Sequence, residues 1–342
     1  MGTEARAATM VLREERTGAS TPRPTLSEVL FRKSEGGFRS FAILPSNVAA
    51  VETAMLFANG LQPFVALVGP SGWGKTHLLE ACAQRLRQDL AITGVSVLSA
   101  VDWVLGARMP APHLPLVLDN VQDVLDKTRC RLRLRLALER RVRAGRPSML
   151  AFTANQPTRQ VMSALPQCRN WAVAPLSAPT VSEREVMVSQ MALAEGLTVG
   201  EPLRRVLARL DGNGRTLSGA LKRLRMDNSQ WVDTRATVRA LGLLNPFFSA
   251  HPTWDLKEHI LSVANGLPLS DDPGLTSEKL AVYGMLKVAS LPEADVARYM
   301  NMPPAKAYLM AARLEEHFLC PECDPALVGR FLDRIVEGLQ AN

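Results

Sequence analysis

The sequence that decides the fold is Gly69-Pro70-Ser71-Gly72-Trp73-Gly74-Lys75-Thr76, which fits the pattern G-x-x-x-x-G-K-[ST] at every defined position. An apolar run at 64–68 precedes this loop, and its β-favouring residues indicate a strand. Residues 76–83 have the composition of a helix. A strand, a glycine-rich loop and a helix follow one another as a phosphate-binding loop requires, so the chain is predicted to bind a nucleoside triphosphate.

The residue types of this loop suit a chain of phosphates. Glycine allows backbone N–H groups to turn inward around the phosphates, and the N-terminus of the following helix points toward their negative charge. We expect Lys75 to reach the β- and γ-phosphates of ATP or ADP, and Thr76 to bind Mg²⁺. The predicted cofactor-binding residues of the loop are Gly69, Gly72, Gly74, Lys75 and Thr76.

The composition limits the class of protein. A chain of 342 residues with 47% hydrophobic residues is expected to form two or three folded domains. No apolar run reaches the length of a membrane span and the N-terminus lacks the hydrophobic segment of a signal peptide, so we expect a cytoplasmic protein with no membrane span. Cys320 and Cys323 have a spacing that suits zinc, and they equally fit two ordinary thiols, since no second ligand pair is present.

The charge balance favours a polyanionic partner such as DNA. Lys and Arg number 40 against 33 Asp and Glu, which gives a net charge of +7. Arginine is dense at 129–146 and again at 204–225. Both clusters fit a surface that faces phosphates, and both also fit solvated helix faces.

Strand and helix patterns alternate after the phosphate loop. Strand candidates lie at 94–98, 114–119 and 148–153. The second ends in Asp119, and an acid at the carboxyl end of a strand is where a P-loop protein holds magnesium. The alternation predicts an α/β fold with a parallel sheet covered on both faces. From 179 onward the pattern is helical, and two short helices near its end have the proportions of a helix-turn-helix.

These motifs together resemble the bacterial replication initiator DnaA family over residues 26–318. The segment F-A-I-L-P-S-N at 41–47 is similar to the family's entry segment, and G-W-G-K-T-H-L-L at 72–79 is similar to its Walker A motif, which adds His77 to the cofactor-binding residues. The resemblance implies an AAA+ P-loop parallel sheet with an α-helical lid, followed by an all-α helix-turn-helix C-terminal domain. The predicted parts are a flexible tail at 1–25, an AAA+ domain at 26–178, a lid at 179–246, a helix-turn-helix domain at 247–320 and a C-terminal extension at 321–342.

The resemblance also implies roles for residues outside the loop. Arg169 falls where the family has its arginine finger, which touches ATP bound by a neighbouring subunit, so the implied partner is a second copy or another DnaA-type AAA+ protein. Arg215 matches the sensor 2 arginine and Asn155 matches sensor 1. Lys127 and Arg129 fit a segment whose basic residues approach single-stranded DNA.

The chain departs from the family where chemistry and DNA recognition are concerned. Asn120 follows Asp119 in place of a second acid, and an amide cannot accept a proton from the attacking water, so we predict ATP binding with slow or absent hydrolysis. The helical insert between 103 and 119 is shorter than the family's. In the predicted recognition helix only Lys306 is a strong donor to DNA, and residues 275–319 carry balanced charge.

The sequence therefore predicts a DnaA-like AAA+ ATP-binding protein that acts on DNA in chromosomal replication initiation or its regulation. ATP binding would act as a conformational or assembly switch. The alternative is a nucleotide-binding adaptor that interacts with another replication initiator without sequence-specific DNA binding. A metabolic P-loop kinase is disfavoured, because nothing in the sequence resembles an acceptor-substrate site.

Overall fold

The structure is a computed structural model that describes residues 37–88, 92–106, 110–227, 230–248, 255–269, 275–318 and 325–340. The predicted flexible tail at 1–25 lies outside these residues, and so do Cys320 and Cys323. None of the helices in the described ranges is both long enough and apolar enough to cross a membrane.

A five-stranded parallel sheet forms the centre of the N-terminal part. Its strands are β1 (Phe64–Gly69), β2 (Val97–Ser99), β3 (Leu116–Asp119), β4 (Ser148–Thr153) and β5 (Ala172–Pro175). They lie in the order β2-β3-β4-β1-β5, and each neighbouring pair is parallel. Every residue of β1 and β3 is buried, as expected for central strands of a sheet that is covered on both faces.

Helices on the two faces supply that cover. They are α1 (Val48–Ala58), α2 (Lys75–Gln88), α3 (Ala100–Leu105), α4 (Thr128–Arg143) and α5 (Arg159–Ala164). Alternate residues of β1, such as Ala66 and Val68, share a cluster with Leu134 and Leu138 of α4. Because successive side chains of a strand point to opposite faces, Val65 and Leu67 face the other side, where α1 and α2 contact the sheet.

Arg141 belongs to the core although it lies within the arginine-rich stretch 129–146. It is buried, and its guanidinium donates to Ser148 Oγ at 2.9 Å, Leu114 O at 2.6 Å and Pro147 O at 2.9 Å. Burial, together with the nearby charge of Arg146, lowers the pKa of Arg141 to about 10. This arginine therefore fastens the end of α4 to the start of β4, and it faces neither phosphate nor solvent.

Four helices form the lid that follows the sheet: α6 (Val181–Ala194), α7 (Glu201–Ala208), α8 (Gly214–Arg225) and α9 (Thr234–Phe248). Thr180 and Glu183 form a capping box at the start of α6. Leu217, Leu221 and Leu224 lie on one face of α8 and are fully buried in the lid's own core.

The remaining described residues are mainly helical. They comprise α10 (Leu256–Asn265), α11 (Ser277–Tyr283), a π-helical segment (Gly284–Val288), α12 (Glu293–Tyr299), α13 (Pro304–His317) and α14 (Pro325–Gln340). Phe331 and Ile335 of α14 share a core with Val238 and Leu241 of α9, so the last helix packs into this core. α12 and α13 are the two short helices for which the sequence predicts a helix-turn-helix.

Candidate functional site

A cavity of about 480 Å³ lies where the phosphate loop, the carboxyl ends of β3 and β4, and the lid meet. Pockets of this size hold small ligands of nucleotide dimensions. Residues 71–77 line one end together with Asp119, Asn120 and Thr153. Apolar side chains from the 41–47 segment and from α6 and α8 line the other end. The cavity thus has a polar end suited to phosphates and an apolar end suited to a base.

Two glycines give the phosphate loop its shape. Gly72 has φ +80° and Gly74 has φ +96°, a region that L side chains rarely adopt. A Cβ atom at Gly72 would lie 2.2 Å from Asn213 Cγ of the lid, and one at Gly74 would lie 2.6 Å from the Phe41 ring. Both positions therefore require glycine, and the loop is enclosed by the lid on one side and by the 41–47 segment on the other.

Lys75 is the buried cation of the loop. Its side chain is 6% exposed, and its ammonium donates to Gly69 O at 2.8 Å and Pro70 O at 2.7 Å. Burial lowers the pKa of Lys75 to about 8, against the attraction of Asp119 and with further lowering by Arg215. A buried charged amine that lines a cavity and donates to neutral acceptors is a site that an anion would stabilise.

Thr76, Asp119 and Asn120 meet at the carboxyl end of β3. Thr76 Oγ1 donates to Asp119 Oδ2 at 2.6 Å, and the Asn120 backbone N–H donates to Asp119 Oδ1 at 2.8 Å. A hydroxyl and a carboxylate at this distance form a donor set that fits Mg²⁺. Asn120 is exposed and has φ 54°, a left-handed conformation that asparagine tolerates, so its amide stands beside the cavity where a second acid would stand.

The lid closes on the phosphate loop through the start of α8. Asn213 caps this helix, because its side chain accepts the Arg215 backbone N–H at 3.0 Å. A Cβ atom at Gly214 would lie 2.7 Å from Gly72 O, which shows how closely the two segments approach. Arg215 lines the cavity, so the predicted sensor 2 residue lies on the lid and faces the phosphate end.

A second contact between lid and loop was missed by the sequence reasoning. The guanidinium carbon of Arg184 on α6 lies 5.6 Å from the centroid of the Trp73 ring, a cation–π contact. Arg184 Nη2 also donates to Leu210 O in the segment that precedes α8. Burial lowers the pKa of Arg184, and Asp211 opposes the effect. An indole inside a glycine-rich loop was the available signal, since so large a side chain needs a packing partner.

The apolar end of the cavity depends on the 41–47 segment. Asn47 folds this segment, because its side-chain amide donates to Ala42 O at 2.8 Å and accepts the Leu44 N–H at 2.9 Å. Glu183 of the lid accepts the Ser46 N–H at 2.8 Å. Burial raises the pKa of Glu183, but its hydrogen bonds with Thr180 and Ser46 outweigh burial and lower it. The segment is thereby attached to α6, which lines the same end with Met187 and Met191.

The other predicted site residues, except His77, lie apart from the cavity lining. Asn155 is exposed, and Thr153, which pairs with Gly69 in the sheet, lines the cavity instead. Thr153 is the last residue of the strand candidate at 148–153. Because adjacent parallel strands end at the same edge of a sheet, this position was the available signal for Thr153. Arg169 is exposed in the turn Cys168–Asn170. Lys127 and Arg129 are exposed at the start of α4, as is Lys306 on α13. His77 lines the cavity and meets Phe41 edge to face at 5.2 Å.

No further metal site is apparent in the part of the chain that the structure describes. There, no group of three or more His, Cys, Asp or Glu side chains is placed to hold an ion. The zinc alternative for Cys320 and Cys323 concerns residues outside that part and stays a prediction. Magnesium at Thr76 and Asp119 is a separate matter, since water and phosphate oxygens usually complete its coordination.

No family model matches the chain, and no curated protein matches it. Domain III of the replication initiation protein DnaA from Thermotoga maritima aligns with a TM-score of 0.51 and 21% identity, over 62% of this chain and 96% of that structure. AMPPCP-bound DnaA from Aquifex aeolicus aligns at a TM-score of 0.47 and 18% identity, over 87% and 96%. The RuvB Holliday junction branch migration motor of Thermotoga maritima aligns at 0.41 and 16%, over 78% and 85%.

The first alignment shows that the chain shares the fold of DnaA domain III. Together with the parallel sheet, it confirms the predicted α/β AAA+ fold with a helical C-terminal part. At this identity the likeness concerns the fold alone.

Proposed function

We propose that this chain is a DnaA-like AAA+ protein that binds ATP and uses the bound nucleotide as a conformational or assembly switch in chromosomal replication initiation or its regulation. The observation that carries the proposal is the single cavity that brings together Lys75 of the loop, Asp119 of β3 and Arg215 of the lid. The fold shared with domain III of a replication initiation protein supports the process, and the motifs at 41–47 and 72–79 support it further.

The residues of the cavity have distinct tasks in this proposal. Lys75 binds the β- and γ-phosphates, and Thr76 and Asp119 hold Mg²⁺, which neutralises phosphate charge when it is bound. Arg215 approaches the phosphates from the lid, so phosphate charge favours the closed position of the lid. Arg169 is exposed and lies away from this cavity, a placement consistent with contact to nucleotide held by a neighbouring subunit. Lid position and subunit contact then both depend on the nucleotide.

The switch is proposed to retain ATP because Asn120 cannot act as a general base. The Asp119 carboxylate is already engaged by Thr76 and by the Asn120 backbone. Asn120→Asp is nearly isosteric and tolerates the left-handed backbone, so it restores a second acid without a change of shape. General-base catalysis contributes about a hundredfold or more, and we expect a gain of that order in ATP turnover.

Turnover measured with and without DNA tests the proposal. The natural chain is expected to bind ATP with little turnover in either condition, and Asn120→Asp to raise turnover. Rapid turnover by the natural chain that disappears in Lys75→Ala would overturn the idea of a retained nucleotide. Absence of ATP binding would overturn the whole proposal.

The second candidate is an adaptor that binds nucleotide and contacts another replication initiator without reading DNA sequence. The exposed side of α13 favours it, because Tyr308 and Leu309 are 52% and 55% exposed. Lys287, next to this helix, is paired with Glu315 at 2.8 Å and lies 5.2 Å from the Tyr308 ring. Such a surface offers few free cations for phosphates.

Binding to random and origin duplexes over a series of salt concentrations separates the two candidates. Phosphate-driven association weakens steeply with salt, whereas sequence preference survives as a ratio of affinities. A higher affinity for one duplex supports action on a DNA site. Equal affinity for every duplex supports the adaptor.

A further inference from the structure

Helix α4 presents an unusual combination of residues to solvent. Leu132 and Leu136 are 56% and 48% exposed, and their spacing of four places them on the same face, one turn apart. The opposite face of the helix is already used, since Leu134 and Leu138 are fully buried in the core of the sheet. The two exposed leucines therefore form a short apolar crest that nothing in the fold requires.

Arginines border this crest on both sides. At 100° per residue, Arg133 and Arg140 lie on one flank and Arg135 lies on the other, and all three are exposed. In the described part of the chain none of the three has an ion-pair or side-chain hydrogen-bond partner. Glu139 is the one acid within α4, and it pairs with Arg143 at 2.6 Å.

Over one turn the pattern is that of a coiled-coil seam, and the Glu139–Arg143 ion pair occupies the next d and a positions. Leu132 and Leu136 occupy the d and a positions of a heptad, and Arg133, Arg135 and Arg140 then occupy the e and g positions. Charges at e and g influence the choice of partner of such a helix, and the three arginines at these positions favour carboxylates. A second copy of the same face is excluded as the occupant, because arginine would meet arginine.

We propose that the solvent face of α4 docks an acidic amphipathic helix of a partner protein. The partner's apolar side chains would pack against Leu132 and Leu136, and its carboxylates would pair with Arg133, Arg135 and Arg140. This surface is distinct from the nucleotide cavity, and the inference does not depend on the proposed function.

Single-stranded nucleic acid and an anionic membrane would each contact fewer of the exposed side chains of α4 than an acidic helix. Single-stranded nucleic acid gains affinity from aromatic stacking, and the exposed large apolar residues of α4 are leucines alone. A membrane surface takes up a broad apolar face, whereas this crest is one turn long. Only an acidic helix contacts the crest and the arginines on both of its flanks at once.

The test measures the affinity of the full chain for a synthetic three-heptad peptide with leucine at a and d and glutamate at e and g. The glutamates of two such peptides repel each other, so the peptide stays available for α4. A matched peptide carries lysine at e and g with the same leucines. We expect the glutamate peptide to bind at least about tenfold more tightly than the lysine peptide in fluorescence anisotropy, because three carboxylate–arginine pairs are formed.

Two double variants separate the contributions of the crest and the arginines. L132S with L136S should weaken binding of the glutamate peptide by about tenfold, because the apolar contact is lost. R133E with R140E should reverse the preference, so that the lysine peptide binds more tightly. Leu193→Ser, a change at another exposed leucine on α6, is the control and should alter neither affinity. An unchanged unfolding temperature and an unchanged far-UV circular dichroism spectrum show that each variant is folded.

Three results would overturn the proposal. The first is a glutamate-peptide affinity that is the same after the leucine substitutions. The second is a charge reversal that leaves the peptide preference as it was. The third is α4-dependent binding of an oligo(dT) strand or of phosphatidylserine vesicles by a chain that does not bind the peptide, which would assign the face to nucleic acid or to lipid.

Discussion

The phosphate end of the cavity and the exposed side of α13 hold their charged side chains in opposite environments. Lys75 and Asp119 are buried, and both are held by hydrogen bonds within the site. Lys306 and Arg313 of α13 are exposed to solvent, and Lys287 next to this helix forms an ion pair with Glu315. The first region keeps its charges out of water, and the second leaves them in it.

This difference decides how much each region says about function. Burial of a charge costs free energy unless a partner compensates it, so a fold that keeps Lys75 buried indicates an anionic ligand. An exposed lysine costs almost nothing, and a surface ion pair contributes about 0–1 kcal/mol. The cavity around Lys75 therefore supports a specific proposal, while α13 fits DNA and protein partners alike.

The largest effect is expected for removal of the buried ammonium. Lys75→Ala removes the charged group that is proposed to bind the β- and γ-phosphates, and the loss should weaken ATP binding by about a hundredfold or more. Isothermal titration with Mg²⁺ and ATP measures it. Lys222→Ala, at an exposed lysine on α8, is the matched control and should leave the affinity unchanged. Equal affinities for the two variants would remove the contrast between buried and exposed charge.

The pH dependence of ATP binding tests the cause of this effect. Burial lowers the pKa of Lys75 to about 8, so the amine of the free protein is protonated at pH 7 and largely neutral at pH 9. Bound phosphates favour the protonated form, and binding at pH 9 must take up a proton. ATP affinity should fall by about tenfold between pH 7 and pH 9.

Buffers of different ionisation enthalpy give the proton uptake directly in the same titrations. Lys75→Arg is the control, because guanidinium stays charged over this range and its affinity should not change with pH. If ATP affinity falls with pH equally in the natural chain and in Lys75→Arg, the titrating group is a residue other than Lys75.

A smaller effect is expected at the contact between lid and loop. Arg184→Gln removes the cation over Trp73 and keeps a side chain that can donate to Leu210 O. A partly buried cation–π contact is worth about 1 kcal/mol, so ATP affinity should fall by about fivefold. The ATP affinity of the Trp73→Phe variant should fall less, since phenylalanine retains an aromatic face.

Tryptophan fluorescence shows whether the contact between Arg184 and Trp73 changes when ATP is added. The change on ATP addition should be lost in Trp73→Phe and reduced in Arg184→Gln. A full fluorescence change in Arg184→Gln would mean that Trp73 responds to the nucleotide without the lid.

The sequence predicted the parts of the site that a contiguous motif encodes. The strand, loop and helix around Lys75 and the acid at the end of β3 require local geometry, which local residue choices specify. The contact between Arg184 and Trp73 joins positions 111 residues apart in sequence (184 − 73). The indole in the loop indicates that a packing partner exists, but no local pattern identifies that partner as Arg184. Arg141 shows the same limit of local patterns. The arginine-rich stretch around it suggested a charged surface, but the packing of the fold places Arg141 in the core.

Lys306→Ala is expected to have the smallest effect, and it addresses the exposed side of the comparison. If α13 contacts phosphates, the variant should bind all duplexes about threefold more weakly, and its salt dependence should lose about one unit of slope. Tyr308→Ala should then matter less than Lys306→Ala. If α13 contacts a protein, the order is reversed: the slope stays the same, and loss of the exposed ring weakens a partner complex. The salt slope of Lys306→Ala is therefore the measurement that assigns this helix to DNA or to a protein partner.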